Sequence, residues 1–151
     1  MIETMQEALR NFGAFATVGL AATGSAYGCG VAASSAIGSW KKCYALGKQA
    51  PFQLTILTGV PMSQTIYGLI VMLQVMAIPP AFWPAALSIG ILGGLGIGTS
   101  AALQGRAAAG ACDAFAETKQ GFVNYLLALG IVETIAIFVM IFAIMFMGKF
   151  K

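Results

Sequence analysis

A chain of 151 residues is long enough for one domain, and 59% of its residues are hydrophobic while only 9% are charged. A soluble domain carries roughly 25% charged residues, so the composition excludes an ordinary water-soluble fold. The net charge of +3 is small and its basic residues are dispersed, which leaves no stripe that would grip nucleic acid.

Lipid is the solvent this composition fits. Crossing ~30 Å of hydrocarbon takes roughly 20 apolar residues as helix. Four windows qualify, at about 11–38, 53–78, 84–112 and 122–147. They predict an all-α membrane protein with a single membrane domain over 1–151, built from a hairpin over 11–78 and a second over 84–147. The first window has no basic leader and no convincing cleavage site, so it reads as a retained span. His is absent, and Cys29, Cys43 and Cys112 have neither CxxC nor metal spacing, so free thiols are expected.

The connections set the orientation. SWKKCYALGKQAP (39–51) holds Lys41, Lys42 and Lys48; AIPPAFWP (77–84) holds no charge; DAFAETKQG (113–121) holds Lys119, with Arg106 shortly before it. The positive-inside rule places 39–51 and 113–121 in the cytoplasm and both termini outside. Lys149 and Lys151 pull weakly the other way. Trp40 and Trp83 fall at opposite interfaces, as an aromatic belt would have them.

The two hairpins read as copies. GSAYGCGVAASSA (24–36) aligns with TSAALQGRAAAGA (99–111) at an offset of 75, and QTIYGLIV (64–71) with ETIAIFVM (133–140) at an offset of 69. Both copies start on the same side, unlike the inverted repeats of many transporters. The first and third windows are crowded with glycine, including Gly24 and Gly28 in one and Gly90, Gly94 and Gly98 in the other. In lipid such helices associate through close backbone approach. That packing has an ordinary reading, pairing within one chain, beside a tightly packed inner layer. LGGLGIG follows no strand and has no acidic partner downstream, so it is not a dinucleotide loop.

Glu133 is the only charged residue between Gly121 and Met147. An isolated carboxylate at that depth costs roughly 3 kcal/mol on insertion scales, so it must be protonated, paired with a cation or facing water. On the second window Val60, Ser63, Gln64 and Tyr67 fall at i, i+3, i+4 and i+7, on one helical face. Pro61 removes a donor and loosens carbonyls in the turn before it. Gln104 lies on the third window. At 1.5 Å per residue, Gln64, Gln104 and Glu133 all sit roughly 14–20 Å from the cytoplasmic loops. One carboxylate with several neutral oxygens suits a singly charged hard cation; a proton needs only the acid. Amides at this depth could also be interhelical glue worth about 1 kcal/mol.

Four helices, glycine-rich first and third helices, PMSQTIYG, LQGRAAAG and IVETIAI together closely resemble the membrane-ring proteolipid, also called the c or K protein, of V-type and A/V-type rotary ATPases. The resemblance covers almost the whole chain. It implies a non-catalytic rotor subunit that assembles with identical copies into a ring, with the glycine-rich helices inside. It further implies a stator subunit whose arginine displaces the ion, central-stalk subunits on the cytoplasmic loops, no cofactor, and a prokaryotic plasma membrane. In the sodium-transporting branch it implies ion ligation by the Val60 carbonyl, Ser63, Gln64, Gln104 and Glu133, with Tyr67 hydrogen-bonding the acid. Here Ser63 stands where Thr is familiar and Val60 where Leu is, and neither change removes an oxygen. Na+ is therefore the expected ion, with H+ the alternative.

Two other classes remain. A small four-span secondary transporter would show substrate-stimulated flux from the isolated protein, and its working carboxylate usually lies in the first helix, where this chain has none. A purely structural proteolipid would tolerate Glu133→Gln in silence.

Overall fold

The computed structural model describes residues 1–150, and among them it contains helices and no strand. Helix α1 runs Ile2–Ala45, well past its apolar window at both ends. The flanking residues, including Glu3, Glu7, Lys41 and Lys42, favour helix, and the chain turns only at Gly47, which takes a positive φ of 62°. Next come α2 (Gln53–Gly59), a single 3-10 turn (Val60–Met62) and α3 (Ser63–Met76). They form one rod, tightened where Pro61 lacks its N–H.

A 3-10 turn (Pro80–Phe82) leads into α4 (Trp83–Ser88), a π-helical turn (Ile89–Gly93) and α5 (Gly94–Thr118). Helix α6 spans Phe122–Met147. The connection expected over 113–121 is only three residues long, Lys119 to Gly121, because α5 continues through DAFAET. Two positive φ angles, 58° at Lys119 and 81° at Gly121, make the reversal. Lys119 ties it down by donating from Nζ to the Gln49 carbonyl at 3.2 Å.

The segments Gln53–Met76, Pro80–Thr118 and Phe122–Phe150 are long and apolar enough to cross a membrane. Helix α1, the first of the four expected windows, is not among them. Its Gly, Ala, Ser and Thr present less apolar surface per turn than the Leu, Ile and Phe of the others.

The rods pack in two layers. Helices α1 and α5 lie side by side and parallel, and α3 and α6 cover them, α3 against α1 and α6 against both α5 and α3. The first layer is a backbone-to-backbone contact. A methyl group at Gly24 would collide with the Gly98 backbone, one at Gly105 with Gly28, and one at Gly90 with Gly13. Ser35 Oγ donates to the Ala109 carbonyl at 2.7 Å, 74 positions away. This register sets positions related by the 75-residue offset at nearly one depth. Between layers, Gly68 of α3 rests on Val18 and Ala21 of α1.

Candidate functional site

The 3-10 turn after α2 delivers Ser63 and Gln64 at the start of α3, with Tyr67 one turn on. Gln104 reaches out from the middle of α5, and Glu133 faces them from the middle of α6. Gln64 and Gln104 are fully buried, and Ser63, Tyr67 and Glu133 are half-buried at the seam between α3 and α6.

Oxygen crowds around one hydroxyl. Ser63 Oγ lies 2.5 Å from Glu133 Oε1, 3.2 Å from Gln64 Oε1 and 3.2 Å from the Val60 carbonyl. A hydroxyl carries a single hydrogen, so it can donate to only one of these three acceptors. Tyr67 donates its O–H to Glu133 Oε1 at 2.7 Å. Five oxygens from five residues thus converge, with three acceptors and two hydroxyl hydrogens among them, an arrangement that favours an added proton or cation.

Amides brace the cluster from behind. Gln64 Nε2 donates to Gln104 Oε1 at 2.6 Å, which turns Gln64 Oε1 towards Ser63. Gln104 Nε2 donates to the Leu129 carbonyl at 2.9 Å and reaches Glu133 Oε2 at 3.4 Å. The sequence pattern assigned Gln104 an oxygen of the cage. Its oxygen instead accepts the Gln64 amide, and Gln104 meets the acid through nitrogen.

Two groups at this site are not visible in the sequence pattern. The Leu129 carbonyl anchors Gln104, and Ser100 Oγ donates to the Val132 carbonyl at 2.8 Å, pinning the turn that carries Glu133. A backbone acceptor leaves no trace in sequence. Ser100 looks there like one more small residue of the α5 packing face.

Nothing in this set suits a transition metal. Among the described residues no group of three or more His, Cys, Asp or Glu comes together. Calcium draws on several carboxylates and carbonyls, and magnesium keeps several waters around its one or two carboxylates. One acid with neutral hydroxyl, amide and carbonyl oxygens is the donor set of a monovalent cation or of a proton.

The remaining acids lie away from this level. Lys42 pairs with Asp113 at 3.1 Å and Glu117 at 3.6 Å, joining the ends of α1 and α5. The Asp113 hydrogen bond and its charge hold the Lys42 ammonium above its ordinary value. Arg10 donates to the Ile78 carbonyl at 3.3 Å and pairs with Glu7 at 3.6 Å at the opposite end.

No curated protein matches the chain. The family model of the ATP synthase C subunit matches residues 87–146, the stretch that holds α5, Gln104, α6 and Glu133. Members of that family are non-catalytic integral membrane proteins that form homo-oligomeric rings within ATP synthase complexes, and the α5–α6 stretch is similar to them.

Proposed function

We propose that this chain is an ion-carrying rotor subunit of V-type architecture, a duplicated pair of hairpins binding one Na+ per protomer at Glu133. Val60, Ser63, Gln64 and Glu133 supply the oxygens, Gln104 orients Gln64 and the acid, and Tyr67 holds the carboxylate when the ion departs. The surplus of acceptor oxygens around Ser63 Oγ carries this reading. A proton carrier needs the acid and a donor or two, and gains nothing from a carbonyl and an amide oxygen beside it.

The duplication explains why there is one site. Gln64 occupies the repeat position of Glu133, and Cys29 that of Gln104, so the first hairpin retains an amide and a thiol where the second has an acid and an amide. Each copy offers its α3/α6 face to a stator subunit, whose arginine displaces the ion. The connections after α1 and α5 face the cytoplasm and the central stalk.

Carbodiimide labelling of Glu133 across pH, with and without Na+, tests this. The expected result is protection by Na+ that strengthens as pH rises. Labelling that follows pH alone, indifferent to Na+ at any concentration, assigns the site to H+ and ends the sodium reading.

A further inference from the structure

We propose that Cys43 is a modification site: its thiol exchanges with a low-molecular-weight disulfide that carries carboxylates and lodges where α1 and α5 end. The proposal goes beyond the rotor reading and holds whichever ion Glu133 carries.

All three cysteines are free. Cys112 is fully buried, and Cys29 sits in the middle of α1. Cys43 differs from both. It stands in the last turn of α1, and its sulfur has the Lys119 ammonium at 3.9 Å. A thiol beside ammonium groups is the kind that attacks disulfides. Cys43 also lines a cavity of about 450 Å³ with Ser39, Lys42, Lys48, Ala116 and Glu117, a volume in the range of small-molecule sites.

Ser39 is an independent sign of a ligand. It is 2% exposed and its hydroxyl has no partner. Other helical hydroxyls of this chain return to the carbonyl four residues back, as Ser34 does to Gly30 and Thr118 to Ala114. Ser39 forgoes that bond and lines the cavity with its hydrogen-bonding capacity unmet.

Charge selects the ligand. Lys42 is held by Asp113 and Glu117, whereas Lys48 has no ion pair among the described residues. Lys119 donates to the Gln49 carbonyl and the Cys43 sulfur, not to an acid. Three ammoniums therefore face two carboxylates, which favours an anionic ligand over a cationic one. Amides on such a ligand can pair with Ser39 Oγ.

In the exchange Cys43 gives its proton to solvent, and its sulfur attacks one sulfur of the incoming disulfide. A new S–S bond forms and the original one breaks. The other half leaves as a thiolate and takes a proton from water. The Cys43 sulfur is oxidised and the leaving sulfur is reduced, so no further oxidant is needed. The attached half displaces Lys119 from the sulfur and loosens its tie to Gln49.

The test incubates the full chain in detergent, at near-neutral pH and low salt, with oxidised glutathione, hydroxyethyl disulfide or cystamine. Peptide mass mapping follows each cysteine. The wild type is expected to form the glutathione mixed disulfide at Cys43 alone, roughly tenfold faster than the adduct of cationic cystamine, with the neutral reagent between them. Lys48→Gln should cut that ratio several-fold, and Ser39→Ala should raise the glutathione concentration at which the rate saturates. Amide exchange over 47–52 should quicken in the modified chain. No adduct at Cys43, while the denatured chain reacts at all three cysteines, overturns the proposal. So do equal rates with the anionic and cationic reagents, or an unchanged ratio in Lys48→Gln, either of which leaves a thiol with no ligand site around it. Na+ protection of Glu133 is a separate measurement, so the two readings fail independently.

Discussion

Ser63 Oγ and Glu133 Oε1 sit 2.5 Å apart although 70 positions separate them in the chain. The contact joins the two hairpins through a hydroxyl that also faces two other oxygens. Ser63→Ala removes one cage oxygen and the only donor in contact with all three. Hydrogen bonds to charged groups are worth about 1.5–3 kcal/mol, so Na+ protection of Glu133 should weaken roughly 10- to 100-fold. Ser63→Thr keeps the oxygen and should stay within about threefold of the wild type. An alanine variant with undiminished protection would remove Ser63 from the cage.

Tyr67 acts on the same oxygen from one turn away, at 2.7 Å. Tyr67→Phe deletes that donor and leaves the ring packed against the core. The carboxylate is then held by Ser63 and Gln104 alone and samples the lipid-facing side more often. Carbodiimide labelling in the absence of Na+ should accelerate several-fold, with thermal stability changed by no more than about 1–2 kcal/mol. An unchanged rate would mean that the phenol only fills space.

Much of this site is legible in the sequence. The i, i+3, i+4, i+7 spacing puts Val60, Ser63, Gln64 and Tyr67 on one face, and counting residues from the loops levels Gln104 with Glu133. These inferences rest on the fixed geometry of a helix. Which end of an amide faces which neighbour is decided by competition among several partners, and that is why Gln104 turns its nitrogen, not its oxygen, to the acid. Helix ends are least legible. A window of apolar residues marks what lipid can cover, whereas α1 and α5 continue through charged residues that water solvates. The glycine pattern points to close packing but does not say which glycines meet.

Gly105 is one that does. A Cβ there would strike the backbone of Gly28, which cannot move aside as a flexible side chain could. Gly105→Ala should push α1 from α5 and destabilise the fold by about 1–3 kcal/mol or more, read as a fall in the detergent unfolding midpoint. Displacing α5 also displaces Gln104, so Na+ protection of Glu133 should weaken in parallel. Gly38, on the same α1 rod, meets nothing within 4 Å of a built Cβ. Gly38→Ala should leave the isolated chain unharmed, or stabilise it by about 0.5–1 kcal/mol through helix propensity. Equal effects at the two positions would contradict the backbone contact.

Lys42 and Asp113, 3.1 Å apart, tie the α1 and α5 ends together. Both are more than half exposed, so the pair contributes little and salt screens it. Its pH dependence has a definite sign. The Asp113 hydrogen bond raises the Lys42 value above 10.5. A raised value means the contribution is fully present below the unfolded value and fades as pH climbs through the native one. Lys42→Met should therefore speed amide exchange at the ends of α1 and α5 at neutral pH and low salt. The difference from wild type should shrink in roughly 1 M salt and disappear at high alkaline pH, where the wild-type ammonium is itself neutral. A difference that persists through both conditions would assign the effect to the lysine's alkyl chain and not to its charge.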